Sequence, residues 1–198
     1  MIIGARRSLP RWFMAAPPLR AGEGGNKVWL VQWAKSRSPR NEFGVPVRNF
    51  AKVTDAVYRG ALPDAAGYRA LVARVAVARV CSLIEHDVER DRRLALASGV
   101  EEWLHVPFSD RAAPPPERVR AWLRFMRTAT RAEPIFTHCR GGRHRTGTLL
   151  AVYRVADCGW NREQALKEMM RFGWYDALGH RPLRDWFLHE FDPRDYLP

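Results

Sequence analysis

PIFTHCRGGRHRTGTLLA, residues 134–151, decides how this chain is read. Apolar residues lie on both sides, and the centre holds one thiol, Cys139, followed by Arg140, Arg143 and Arg145. Residues 134–137 predict a short strand. Residues 149–156, apolar nearly all round, predict a helix buried at a domain centre. Between them, Gly141 and Gly142 let the backbone curl so that successive N–H groups turn inward. Such a curl is an anion nest, and the positive end of the following helix reinforces it. Arg145 stands where that helix begins, and its planar fork can hold two oxygens of a tetrahedral phosphoryl group. The same field favours thiolate over thiol at Cys139. Comparable settings lower a cysteine pKa from about 8.5 to between ~3.5 and ~7.5. The nucleophile is then ionised at neutral pH without a dedicated base. Thr146 can hydrogen-bond the sulfur as it leaves, and His138 braces the loop.

Working outward, Val57-Tyr58 starts a short strand that Arg59-Gly60 ends. Pro63-Asp64 opens a helix with Tyr68, Leu71, Val72 and Val75 on one face. Residues 77–84 read as a strand buried on both faces. Helical spacing resumes over 88–97, and Gly99 stops it. A strand is expected at 103–106 and a helix from 117 to 130. Asn161 with Gln164 caps another helix, and Pro182 opens a last one that ends near Phe191. Strands alternating with helices predict an α/β fold, with a central, mainly parallel sheet and helices on both faces. Ligands in such folds sit beyond the carboxyl ends of the strands, where residues 139–145 fall.

The 198 residues, 46% hydrophobic and 27% charged, suit one ordinary core with an appendage. Residues 1–52 hold ten Lys/Arg against two Glu, a net of +8 within a chain total of +12. With its Pro, Gly, Trp12, Trp29 and Trp33, this segment reads as a poorly ordered basic arm ahead of a domain over 53–198. The arm is either a solvated extension or docks on anions or a membrane surface. Pro10, Pro17, Pro18 and Arg20 interrupt the apolar run an export signal needs, and Val28-Trp29-Leu30-Val31 is too short to span a bilayer. Three cysteines build no disulfide framework and suit a reducing, cytoplasmic setting. Charge alone suggests nucleic acid only weakly, and none is expected as a partner.

HCRGGRHRTG, residues 138–147, is H-C-x5-R-[ST]-G. The chain thereby resembles the cysteine-dependent protein tyrosine and dual-specificity phosphatases. The basic residue, glycine, basic residue and histidine inside the loop are most similar to the plant and fungal atypical dual-specificity phosphatases. Val57-Tyr58-Arg59-Gly60 with Pro63 looks like that family's opening, so the likeness covers residues 53–192. The resemblance implies a tyrosine-phosphatase-like fold and hydrolysis through a cysteinyl-phosphate, with no metal or cofactor. It implies substrates of phosphotyrosine type, or inositol phosphates and phosphoinositides carrying several phosphates. It also asks for a general acid on a mobile loop about thirty residues before the cysteine. Asp110 fits by position, without the W-P-D spelling of many tyrosine phosphatases, and Glu117 is the alternative. Arg140, Arg143 and His144 either contact further phosphates or only raise the potential around the loop. His138, Cys139 and His144 fit no usual zinc spacing. Cys81 is an ordinary buried cysteine or a redox partner of Cys139. Cys158 reads as a bystander. One rival reading is a phosphate reader without turnover, against which Cys139 and Arg145 together argue. Another is a rhodanese- or arsenate-reductase-like cysteine enzyme, against which Thr146-Gly147 argues.

Overall fold

Short runs of β-branched and aromatic residues, closed by Gly, Pro or charged turns, form the strands of the computed structural model, which describes residues 41–174 and 179–196. Residues 1–40, with most of the predicted arm, lie outside the described residues. The strands are β1 (Ala51–Lys52), β2 (Val57–Ala61), β3 (Arg79–Ser82), β4 (Glu102–His105) and β5 (Ile135–Cys139). They lie in the order β1-β2-β5-β3-β4. β2, β5, β3 and β4 are parallel, and β1 pairs antiparallel with β2. The helices are α1 (Ala65–Val75), α2 (Val88–Ala97), α3 (Pro116–Arg127), α4 (His144–Ala156), α5 (Arg162–Arg171) and α6 (Arg181–Asp185).

Alternation along the central strand β5 divides the interior in two. Ile135 and Cys139 face a core that holds Trp122, Leu123 and Met126 of α3 with Leu149 and Leu150 of α4. Phe136 faces the opposite core, with Tyr68 and Leu71 of α1 and Ala95 of α2. Helices therefore cover both faces, as expected of a sheet whose central strands are apolar on both sides. Trp122 Nε1 donates to Thr137 Oγ1 at 3.1 Å, which pins α3 to β5 and satisfies both buried polar groups. α4 is buried along most of its length because β5, α5, α6 and the C-terminal turns pack around it, and its second half, residues 149–156, is mostly apolar.

Local signals set the helix ends. Asp64 Oδ1 accepts from Gly67 N at 2.7 Å and starts α1. At α5, Asn161 Oδ1 accepts from Gln164 N and Gln164 Oε1 accepts from Asn161 N, both at 2.9 Å, the reciprocal cap predicted for that pair. The predicted last helix is instead the single turn of α6 followed by a π-helical turn, Trp186–Glu190.

Residues 45–52 differ from their reading as part of the arm. Val45, Val47 and Phe50 are buried, and Phe50 stacks on Tyr58 at 5.7 Å between ring centroids. Charge counted over the whole N-terminal segment hides this short apolar spacing, which covers the α1/α2 side of the sheet. Phe50→Ala is therefore expected to destabilise the fold by about 3–5 kcal/mol in urea unfolding, as for other buried aromatics. A loss below about 1 kcal/mol would show that the segment is not packed.

Candidate active site

β5 ends at Cys139 and α4 begins at His144, so residues 140–143 form a tight loop above the sheet. Gly142 has φ 63°, and a Cβ there would fall 2.5 Å from the Gly60 carbonyl carbon on β2. Only glycine meets both conditions. Two donors hold the loop's carbonyls on its outer side. Asn49 Nδ2 donates to Gly141 O at 2.8 Å, and Arg59 Nη2 donates to Gly142 O at 2.7 Å. With the carbonyls tied outward, the loop's N–H groups are left to face the sulfur. Arg59 is 1% exposed, and its guanidinium lies 3.7 Å from the Phe172 ring centroid. Burial lowers its pKa to about 10, so it stays charged at neutral pH. Sequence reading missed both anchors. Asn49 falls within the arm by charge count, and Arg59 reads only as a strand end and as part of the V-Y-R-G likeness, whereas the strand runs on through it to Ala61.

Cys139 is 4% exposed. Burial alone raises a thiol pKa, but here it is outweighed by the charge of Arg145, the hydroxyl and amide of Thr146 and the amide of Arg143. The net direction is downward, toward thiolate. Arg145 is oriented from behind: Nη1 donates to Leu83 O at 2.9 Å and meets Glu85 Oε2 and Phe108 O at 3.4 Å. Asp110 Oδ2 lies 3.9 Å from Arg145 Nη2 and 3.8 Å from His180 Nδ1. Cys139, Arg145 and Asp110 thus line one cavity of about 280 Å³, together with Arg140, Gly141, Arg143 and His144. Arg48 and His180 complete the lining, and neither was singled out from the sequence. Gly142 sits behind the cavity, seated on β2. Glu117, the other carboxylate considered, lies in the exposed first turn of α3, outside the lining. The arrangement brings a thiol tuned toward thiolate, a guanidinium and a carboxyl around one small volume.

Residues 54–158 match a family described as "Polymorphic toxin system, DSP-PTPase phosphatase". The dual specificity protein phosphatase TpbA of Pseudomonas aeruginosa (strain UCBPP-PA14) is 33% identical over 153 residues, which are 77% of this chain and 67% of TpbA. The chain belongs to the dual-specificity phosphatase family. It is a cysteine-dependent phosphatase. The inositol diphosphatase DSP5 of Arabidopsis thaliana is 26% identical over 152 residues, 75% of this chain and 72% of DSP5. The crystal structure of P. aeruginosa TpbA superposes with a TM-score of 0.63 at 31% identity, covering 74% of this chain and 87% of that one. The catalytic core of the PP-IP phosphatase SIW14 from S. cerevisiae shares the fold, with a TM-score of 0.61 at 23% identity, covering 71% and 86%.

Within this phosphatase the remaining candidates separate by face. His138 points away from Cys139, because neighbours on a strand alternate. Its Nε2 is 3.2 Å from Tyr68 Oη and 3.3 Å from Asp91 Oδ2, and Tyr68 Oη donates to Asp91. Burial would raise the Asp91 pKa, yet hydrogen bonds from His138, Tyr68 and Ser82 hold it below the ordinary carboxylate value. The trio braces the strand beneath the loop. Cys81 pairs with Thr137 in the sheet, two residues before Cys139. With a rise of about 3.3 Å per residue and a strand spacing of about 4.8 Å, its Cα lies about 8 Å from that of Cys139. That exceeds the ~7 Å a disulfide spans without backbone movement. Burial also pushes the Cys81 thiol pKa up.

Asp110, His144 and His180 bring one metal-ligand-type atom each within 4.8 Å of one another. The two imidazoles, however, stack face to face, 3.6 Å between centroids and 15° between planes. Their in-plane lone pairs lie in separate layers, so one ion cannot meet both unless a ring swings out of the stack.

Two thiol measurements follow from this electrostatic setting. Alkylation of Cys139, read on its own peptide by mass spectrometry, should reach half its maximal rate below pH ~8.5. Arg145→Gln removes the largest favourable charge and should move that midpoint upward. A midpoint at or above the ordinary thiol value in the parent would contradict the cradle.

Proposed function

We propose that this phosphatase hydrolyses phosphate monoesters through a cysteinyl-phosphate on Cys139. The Cys139 thiolate attacks phosphorus, a P–S bond forms, and the ester P–O bond breaks. The loop amides and Arg145 stabilise charge on the three equatorial oxygens. Asp110 gives its proton to the leaving oxygen. Water then attacks the phosphocysteine, Asp110 takes the water's proton, and the sulfur leaves as thiolate with a hydrogen bond from Thr146. The observation that carries this reading is Arg145. Its Nη1 is held from behind, while its Nε is buried without a hydrogen-bond partner among the described residues. A guanidinium so held keeps donors for a planar grip on phosphate, next to a sulfur tuned toward thiolate. An orphaned buried donor is costly, which supports a ligand that completes it.

For the substrate, the proposal is an ester that carries further negative charge beside the reacting phosphate. Arg48 and Arg140 are exposed at the cavity, and among the described residues neither has an ion pair. Two unpaired cations at the rim favour a phosphorylated ring with neighbouring phosphates, such as an inositol polyphosphate or phosphoinositide. A phosphotyrosine-type protein substrate is the second reading, favoured by the likeness to TpbA, of which a cysteine-to-serine variant has been seen in complex with pTyr. Three unpaired thiols, Cys81, Cys139 and Cys158, accord with a reducing, cytoplasmic setting. No helix among the described residues is long and apolar enough to cross a membrane.

Cys139→Ser should lower kcat by roughly 10³-fold or more while a phosphorylated ligand still binds. Turnover within tenfold of the parent would remove Cys139 as nucleophile. Arg145→Lys should fail badly too, because a point charge does not reproduce a two-pronged grip. Phosphopeptides, phosphoinositides, soluble inositol phosphates and nitrophenyl phosphate, assayed side by side, test the substrate class. Arg48→Ala with Arg140→Ala should raise KM for polyphosphorylated substrates by roughly tenfold or more and leave nitrophenyl phosphate little changed. Equal losses on all substrates would reduce the rim arginines to a general field.

A further inference from the structure

Among the described residues after α5, His180 is a buried polar side chain that lines the cavity, beyond the residues the family match covers. It is 7% exposed and stands between the two halves of the site. On one side its ring stacks on His144, the first residue of α4, at 3.6 Å. His144 is in turn held edge-on by Trp174 at 5.6 Å. On the other side His180 Nδ1 lies 2.9 Å from the backbone carbonyl of Asp110. That carbonyl only accepts, so Nδ1 carries the proton and donates. Gly179, just before it, has φ 85°, a left-handed conformation that favours glycine at the turn presenting His180.

We infer that His180 is a positioning residue: its Nδ1–H holds the backbone of Asp110, so that the Asp110 carboxyl faces the leaving-group side of the cavity. The inference rests on the reading of Asp110 as general acid. Asp110 needs such a hold. It lies in a Pro-rich connection between β4 and α3 rather than on a regular element, and its side chain is 32% exposed. Loop backbone of this kind gains order chiefly from specific hydrogen bonds. The 3.8 Å from His180 Nδ1 to Asp110 Oδ2 is too long for a direct bond, so the hold acts through the backbone. The stack on His144 references the acid to the loop that carries the nucleophile. A displacement of about 1 Å at a reacting group can cost about 100-fold.

The effect has a signature that a merely structural residue lacks. A general acid matters in proportion to the basicity of the leaving oxygen, so its misplacement should be felt on alkyl phosphates and hardly on nitrophenyl phosphate. A variant that keeps the ring stack on His144 leaves the binding loop and Arg145 in place, so kcat should fall and KM should hold. The experiment is a leaving-group series in the parent, His180→Phe, His180→Asn and Asp110→Asn enzymes. Phe keeps a ring for the stack and loses the donor, whereas Asn keeps an amide donor where Nδ1 stands and loses the ring. Expected is a roughly 10- to 100-fold kcat loss for His180→Phe on an alkyl phosphate, within about threefold of parent on nitrophenyl phosphate, and substantial recovery in His180→Asn. An equal loss on both substrates, or a parent-like series in His180→Phe, would overturn the inference. Should His180→Phe not fold, His180→Leu, of lesser bulk and without a donor, answers the same question. Asp110→Asn keeps the two ideas apart. If it shows no added sensitivity to leaving-group basicity, the acid assignment itself falls. If it does and His180→Phe does not, only the positioning role falls.

Discussion

Cys139 is almost fully buried, and a buried thiolate is unfavourable unless positive charge and N–H dipoles surround it closely. Most of what is unusual in this chain answers that constraint. The loop turns its amides toward the sulfur because Asn49 and Arg59 hold two of its carbonyls from outside. Gly142 takes a left-handed conformation against Gly60 because no side chain fits there. Arg145 brings its charge to the sulfur only because the Leu83 carbonyl and Glu85 fix its far side. In the proposed reaction the arrangement that tunes the thiol would also cradle the phosphoryl group, so that ground-state electrostatics and transition-state stabilisation use the same groups.

The fold supplies rigidity from both faces of the sheet. Below the loop, Tyr68 and Asp91 join helices on the α1/α2 side to His138 on the strand that ends in Cys139. On the other face, α3 is tied to β5 through Trp122 and Thr137, and α4 is buried along most of its length. Buried polar contacts of this kind are directional and favour one arrangement, where apolar packing alone tolerates several. The acid side is built differently, on a connection held by hydrogen bonding to a distant segment. Cys139 and Asp110, the proposed nucleophile and proton donor, therefore rest on parts of the structure held in different ways.

Local signals in the sequence were legible. The helix at 88–97, its stop near Gly99, the cap formed by Asn161 and Gln164, and the strand–loop–helix around Cys139 follow from spacing and turn chemistry that act within a few residues. Asp110 could be located by its distance along the chain, and it does line the cavity with Cys139. What escaped is long-range. Asn49 lies 92 residues from the carbonyl it binds, Glu85 is 60 from Arg145, and His180 is 70 from Asp110. No periodicity encodes such meetings, since they depend on strand order and on where connections return. Arg48 and the buried Phe50 were hidden for another reason. A charge count over a long segment averages away three apolar positions that pack into the core on the α1/α2 side of the sheet.

The central claim is that Cys139 itself carries the phosphoryl group during turnover. Rapid acid quenching of the enzyme with nitrophenyl phosphate, followed by peptide mapping, tests it most directly. One phosphoryl group should be found on the peptide containing Cys139. Its amount should rise within a single turnover and decay as inorganic phosphate appears, and Cys139→Ser should show no such rise and decay. A parent enzyme that turns over with no phosphoryl group on that peptide, or with one on another residue, would contradict the account.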